Sequence, residues 1–303
     1  MRKGRRKMTE LEVKGAEKSY FRKRAVRIYV LAASIVSAVM LSLAFAMDFD
    51  PQKQLFKIGS VLGGIAFYGT LVLTAAAIIL PFVLIPKEKT DEPSLPDMQE
   101  YKCYYNLDNT FMKVLRICVA SVLILQGIVR LVLTFAGIEL PSFMRAQAFG
   151  LTYNVSVVAM LTVFALAFYF LPELLEKLGD TKGILHLILG SVGLVWFMFN
   201  LLEAYLNKLR PLASEYAQLT QVAYAVMLLA VTYEIKYRLD PLSIRSRIAT
   251  SGAACVIGLG LGIGQLVMAV TVGQISLGAT SLSVSMLALA LYFGARIFFY
   301  EED

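Results

Sequence analysis

Residues 248–295 read IATSGAACVIGLGLGIGQLVMAVTVGQISLGATSLSVSMLALALYFGA, a stretch of 48 residues without Asp, Glu, Lys or Arg. A helix that crosses the hydrocarbon core of a membrane needs about 20 apolar residues. The stretch is therefore long enough for two crossings. Residues 271–274 (TVGQ) contain a glycine and two polar residues, which is typical of a turn. The end of the chain predicts two transmembrane helices joined by this turn.

Six further stretches upstream carry one charged or histidine residue at most. They are residues 28–47, 58–86, 117–138, 146–172, 183–202 and 216–233. Backbone groups in lipid must form hydrogen bonds within their own segment, so each stretch reads as a helix. The sequence predicts an all-α, polytopic membrane helical bundle of about eight transmembrane helices, arranged as four hairpins.

The composition supports a membrane protein with one basic segment. Of 303 residues, 58% are hydrophobic and 17% are charged, whereas about a quarter of residues in soluble domains are charged. Residues 1–27 contain eleven Lys or Arg and three acids, and the remaining residues contain eighteen Lys or Arg and nineteen acids. The chain is thus divided into a basic cytoplasmic tail (1–27) and a transmembrane bundle (28–303) with a cytoplasmic loop at 87–112. We expect the tail to lie beside anionic lipid of the bilayer, and we expect no nucleic acid partner.

The distribution of basic residues predicts the orientation of the chain. With the N-terminus inside, the cytoplasmic segments hold twenty-one Lys and Arg residues and the outer loops hold five. Basic residues collect on the cytoplasmic side of membrane proteins. The sequence therefore predicts an integral membrane protein, in the plasma membrane, with both termini in the cytoplasm.

Few residues are of the types that catalysis or metal binding requires. The chain has three cysteines without a CxxC spacing and a single histidine, His186, so a disulfide framework or a metal centre is not expected. No nucleophile stands with a base, and no carboxylates are paired within a span. We predict that the chain is not an enzyme and that it carries no cofactor or metal.

Arg130 is the charge deepest inside a predicted span. It lies eight residues before the end of its span, which is about 12 Å along a helix. An arginine at such a depth costs roughly 2.5–3.5 kcal/mol and usually faces the bundle or water. Gln126 and Thr134 lie four residues to either side, on the same helical face. Glu203 falls at a similar depth and is the predicted partner of Arg130.

Other polar residues are predicted at the same outer level of helices three to seven. The candidate binding residues are Arg130, Glu203, Gln126, Asn154, Asn200, Gln218, Gln221 and Gln265. A binding site, a purely structural ion pair and an interfacial position of the charges are all compatible with this pattern. Towards the cytoplasmic ends, Glu234 and Arg238 are predicted to form a structural pair, and His186 is predicted to be interfacial.

The seventh span contains alternate glycines from Gly258 to Gly264, which give two overlapping GxxxG patterns. Small residues four apart allow a second helix backbone to approach closely. No predicted strand precedes these glycines, as a nucleotide-binding loop would require. The pattern therefore predicts helix packing.

These observations leave two hypotheses for function. The first is a transporter or permease-like protein with an outward-opening polar site, in which Arg130 would hold an anionic or carboxylate group of a small molecule or ion. The second is a non-catalytic membrane subunit, sensor or scaffold, in which the polar residues only specify packing. A water-filled cavity lined by these residues favours the first hypothesis, and a closed core with every polar group satisfied favours the second.

Overall fold

Eight α-helices and one small antiparallel sheet make up the part of the chain that the structure, a computed structural model, describes. This part comprises residues 10–50, 55–57, 59–85, 110–137, 153–171, 182–206, 215–239, 244–272 and 277–298. The helices are α1 (Glu10–Met47), α2 (Val61–Leu84), α3 (Thr110–Phe135), α4 (Tyr153–Tyr169), α5 (Lys182–Leu206), α6 (Glu215–Leu239), α7 (Ile244–Val272) and α8 (Leu277–Phe298). The strands are β1 (Phe49–Asp50) and β2 (Leu55–Phe56), which pair antiparallel.

The predicted all-α membrane bundle is confirmed. Each helix overlaps one predicted span, and α7 and α8 separate at the predicted turn. Among the described residues, six helices are long and apolar enough to cross a membrane, and α4 contributes a shorter apolar stretch, Met160–Tyr169. The six spans are Arg22–Met47, Val61–Leu84, Thr110–Phe135, Ile184–Tyr205, Arg245–Thr271 and Leu277–Phe298. The chain is a multipass integral membrane protein.

The first helix begins well before the first predicted span. α1 has 38 residues, which is about 57 Å at 1.5 Å per residue, whereas the hydrocarbon core of a bilayer is about 30 Å thick. Residues 10–27 of the predicted tail are therefore helical and run directly into the first span. Most of the predicted loop at 87–112 lies outside the described residues, and its last three residues belong to α3.

The helices pack in the four predicted consecutive pairs, and six of them also form a ring. From α3 onward each helix packs on the next, and α8 packs on α3, so that α3 to α8 close on themselves. α1 and α2 pack on each other and on α7. α7 therefore contacts α1, α2, α6 and α8, which explains why most of its length is buried.

The alternate glycines of α7 allow this central helix to meet neighbours on two faces. Gly258 and Gly262 lie against α8, where a Cβ added at Gly262 would be 3.2 Å from the Cβ of Leu287. Gly260 and Gly264 lie against α1, where added Cβ atoms would press into side chains of that helix. Each GxxxG pattern thus serves a different neighbour, in agreement with the packing role predicted for them.

A small aromatic cluster fixes the turn between α1 and α2. The ring of Phe49 in β1 lies 5.7 Å from Phe56 in β2 and 5.5 Å from Tyr216 at the start of α6, measured between centroids. Ser60 caps α2 by accepting a hydrogen bond from a backbone N–H, and it donates to the carboxylate of Asp48. These contacts attach the α1–α2 hairpin to the ring.

The glycine packing predicts the effect of one substitution. Gly262→Leu should lower the melting temperature of the purified protein, because its side chain would meet the backbone and Cβ of α8 at contact distance, and overpacking costs about 1–3 kcal/mol. Gly64→Leu in α2 is the matched control, since an added Cβ there has no atom within 4 Å. If the two variants have the same melting temperature, the inference that α7 and α8 approach closely at Gly262 is wrong.

Candidate functional site

One ion pair joins two helices of the ring that are not consecutive. Nη2 of Arg130 in α3 lies 2.6 Å from Oε2 of Glu203 in α5. The side chains are 14% and 21% exposed, respectively. The sequence predicted that these residues would be partners, and the structure confirms their contact. Because the surrounding helices are apolar, each charge compensates the other.

A small cavity lies beside this pair, between α3, α4 and α5. Its volume is about 20 Å³, and about 10–15 Å³ of such space suffices for one water molecule. A molecule larger than water therefore enters only if side chains move. Four wall residues are polar, and three have large apolar side chains: Gln126, Arg130, Asn200 and Glu203, and Met160, Trp196 and Phe199.

Gln126, which lines this cavity, has a buried oxygen without a hydrogen-bond partner among the described residues. Its side chain lies one helical turn before Arg130 and is only 3% exposed. Among the described residues, no donor forms a hydrogen bond with its Oε1 atom. Leaving a buried polar group without a partner costs about 1–3 kcal/mol. An occupant that donates a hydrogen bond would remove this penalty.

The structure brings four of the eight candidate binding residues together. Asn200 also lines the cavity, and its Nδ2 donates to the backbone oxygen of Trp196 at 2.7 Å. Gln265 lies elsewhere, donating to the Tyr216 hydroxyl and accepting from Ser283. Of the remaining three candidates, Gln218 is exposed and Gln221 is partly buried, and neither lines the cavity. The side chain of Asn154 lies outside the described part.

A second polar cluster holds the opposite ends of α6, α7 and α8 together. Glu234 of α6 is 1% exposed, and its carboxylate accepts hydrogen bonds from Arg247 at 3.0 Å, Arg296 at 3.2 Å and the Tyr292 hydroxyl at 3.2 Å. The sequence predicted Arg238 as its partner, but that side chain lies outside the described residues. The partners found were missed, although Arg247 and Arg296 are the two charges that bound the 48-residue apolar stretch.

Aromatic side chains fill the ring at the same level. The rings of Phe170, after α4, and Tyr292 in α8 are 5.0 Å apart, so they meet across the interior of the ring. His186 stacks on Tyr169 at 4.5 Å and bonds to its backbone oxygen at 2.7 Å. His186 is 5% exposed because these contacts bury it, and its interfacial depth in the membrane stays a prediction. We call this level, with Glu234, Arg247 and Arg296, the Glu234 end, and the level of Arg130 and Glu203 the Glu203 end.

The described residues contain no group of three or more His, Cys, Asp or Glu that could hold a metal ion. The Glu234 and Glu203 clusters differ in the charges that they contain and in the residues that surround them. At the Glu234 end the carboxylate has three donors and is fully buried. At the Glu203 end the pair is partly exposed, and an acceptor beside it still needs a donor. Of these two clusters of described residues, the Glu203 end is the one with partly exposed charges and an acceptor without a donor.

The Arg130–Glu203 pair predicts a double-mutant pattern. Arg130→Met alone leaves Glu203 without its cation and should destabilise the protein by about 3 kcal/mol, near the lower end for a buried pair. Adding Glu203→Leu removes the remaining charge and should restore much of the melting temperature. A double variant that melts no higher than Arg130→Met would show that the two charges are not coupled.

The Glu234 cluster predicts a larger effect at the opposite end. Glu234→Gln removes the charge that both guanidinium groups contact, and it should cost roughly 3–5 kcal/mol. Glu215→Gln, at the start of the same helix, is the control and should change stability by a few tenths of a kcal/mol, about the effect of a charge at a helix end. Thermal melting of both variants decides whether Glu234 holds α6, α7 and α8 together.

Comparison with known proteins does not assign a function to this site. Comparisons with protein-family models, with curated proteins and with solved structures find no match to the chain. The helices establish a multipass membrane protein. A more specific function has to be inferred from the side chains at the two ends of the ring.

Proposed function

We propose that this membrane protein is a permease-like transporter that binds a small polar solute at the Glu203 end. One observation carries the proposal: the Arg130–Glu203 pair lies beside a cavity lined by Gln126, whose buried Oε1 has no hydrogen-bond partner among the described residues. Ionised residues inside membrane spans are costly, and they often mark a solute or ion pathway. A buried acceptor without a donor is a further cost that an occupant would remove.

The two ends of the ring support alternating access. At the Glu203 end the charged side chains are partly exposed, so a solute can reach them once the pair separates. At the Glu234 end the buried ionic cluster and the contact of Phe170 with Tyr292 close the ring. Passage would require a second state in which the Glu234 end opens and the Glu203 end closes, as in other transporters with a central site.

A non-catalytic subunit, sensor or scaffold is the second candidate, and one observation favours it. The cavity holds no more than a water molecule, while Gln265 and Glu234 are satisfied by neighbouring helices. In this alternative the ion pair fixes the packing of α3 and α5 and binds nothing. Neither candidate requires catalysis, so we place the protein among the non-enzymes.

The orientation belongs to the same proposal. With basic residues inside, the N-terminus, the C-terminus and the Glu234 end face the cytoplasm of the cell, and the Glu203 end faces outward across the plasma membrane. The side chains Arg22, Lys23, Arg24 and Arg27, near the start of the first span, would then lie at the anionic inner leaflet.

Cysteine labelling tests this orientation. In a background without native cysteines, Asp91→Cys and Asp180→Cys should react only with reagent on the cytoplasmic side, and Arg145→Cys only with reagent outside. The expectation follows from the basic-residue asymmetry. Labelling of position 145 from the cytoplasmic side would reverse the topology.

Uptake into proteoliposomes tests transport. Radiolabelled acetate, methylammonium and glycine represent an anion, a cation and a zwitterion. At least one of these solutes should enter vesicles that contain the wild-type protein faster than it enters protein-free vesicles. The Arg130→Met, Glu203→Leu double variant should lose that uptake, whereas Ser251→Ala, which alters a buried hydroxyl of α7 outside the cavity, should keep it. Absence of uptake for all three probes would contradict transport and favour the scaffold.

A further inference from the structure

The solute class follows from the atoms at the Glu203 end that still need a partner. We infer that the site recognises a small organic cation, a primary ammonium group on a short apolar stem, and this inference rests on the proposed function. The sequence suggested that Arg130 would hold an anion. In the structure its guanidinium already contacts the Glu203 carboxylate. A solute that takes part in this contact can replace either the carboxylate or the guanidinium.

The polar atoms of the cavity favour replacement of the guanidinium. Among the described residues no donor reaches Gln126 Oε1, an acceptor, and an ionised Glu203 can only accept hydrogen bonds. An ammonium group has three N–H donors and can serve both acceptors. A carboxylate solute has no donor to offer, so Gln126 Oε1 would remain unsatisfied.

The apolar walls favour a cation as well. Trp196 and Phe199 line the cavity, and the faces of aromatic rings carry partial negative charge that attracts cations. The thioether of Met160 adds a soft, adaptable surface for an apolar stem. A carboxylate would gain nothing from the ring faces.

The positions of the two charged residues make the exchange feasible. Glu203 is the more exposed of the two and lies three residues before the end of α5, so an approaching solute meets it first. Arg130 lies five residues before the end of α3, and a long arginine side chain can extend along its helix to water. The displaced guanidinium then leaves the apolar interior, and the solute ammonium takes its place against Glu203.

Thermal melting with defined salts tests the inference on the purified full-length protein. At pH 7 and equal ionic strength, methylammonium chloride should raise the melting temperature by several degrees relative to sodium chloride, and sodium acetate should not. Gln126→Leu removes the unsatisfied acceptor while leaving the ion pair. It should therefore fold as stably as the parent without ligand, and the methylammonium shift should fall by at least half.

Ser251→Ala is the matched control, because the Ser251 hydroxyl is also buried and without a hydrogen-bond partner among the described residues, but outside the cavity. It should retain the full methylammonium shift. A full shift in Gln126→Leu, or an equal loss in Ser251→Ala, would overturn the assignment to this cavity. Stabilisation by acetate alone would overturn the inference that the solute is a cation, but the proposed function would still hold. If neither salt stabilises the protein and no probe enters proteoliposomes, the proposed function fails with it.

Discussion

Charges inside an apolar bundle have to be compensated, and the arrangement of this molecule depends on how the carboxylates of Glu234 and Glu203 meet that constraint. Glu234 has two guanidinium groups and a hydroxyl around it and is fully enclosed. Glu203 has one guanidinium group and is partly exposed. Breaking the first cluster would separate α7 and α8 from Glu234 of α6. Breaking the second removes a single ion pair between α3 and α5 and lets these two helices move apart, which makes the Glu203 end the part of the ring suited to open.

Close packing around α7 explains how one bundle can have an enclosed Glu234 end and a Glu203 end that is suited to open. Its glycines bring α1 and α8 to contact distance on two faces, and Glu234 ties the first turn of α7 to α6 and α8. α3, α4 and α5 meet the cavity instead and lie on the other side of the ring. The bundle therefore combines a tightly packed half, built on α7, with a half that surrounds a polar site.

Much of this fold could be predicted from sequence, because apolar length and glycine spacing are local signals. The turn between α7 and α8 and the Arg130–Glu203 contact were both predicted from residue spacing and depth along a helix. The partners of Glu234 were missed, because they come from two other helices and depend on which faces meet around the ring. The position of Gln265 away from the cavity has the same cause, since its partners are Tyr216 and Ser283. Position along each helix was predictable, but position around the ring was not.

The central claim is that the Arg130–Glu203 contact separates when solute binds while the Glu234 end stays closed. Pulsed electron paramagnetic resonance can measure this directly, with spin labels on α3 and α5 at exposed positions. Val132 and Tyr205 report the Glu203 end, and Ile117 and Ile184 report the Glu234 end. In proteoliposomes, methylammonium chloride should lengthen the first distance relative to sodium chloride and leave the second unchanged. A first distance that does not respond to methylammonium would contradict the account.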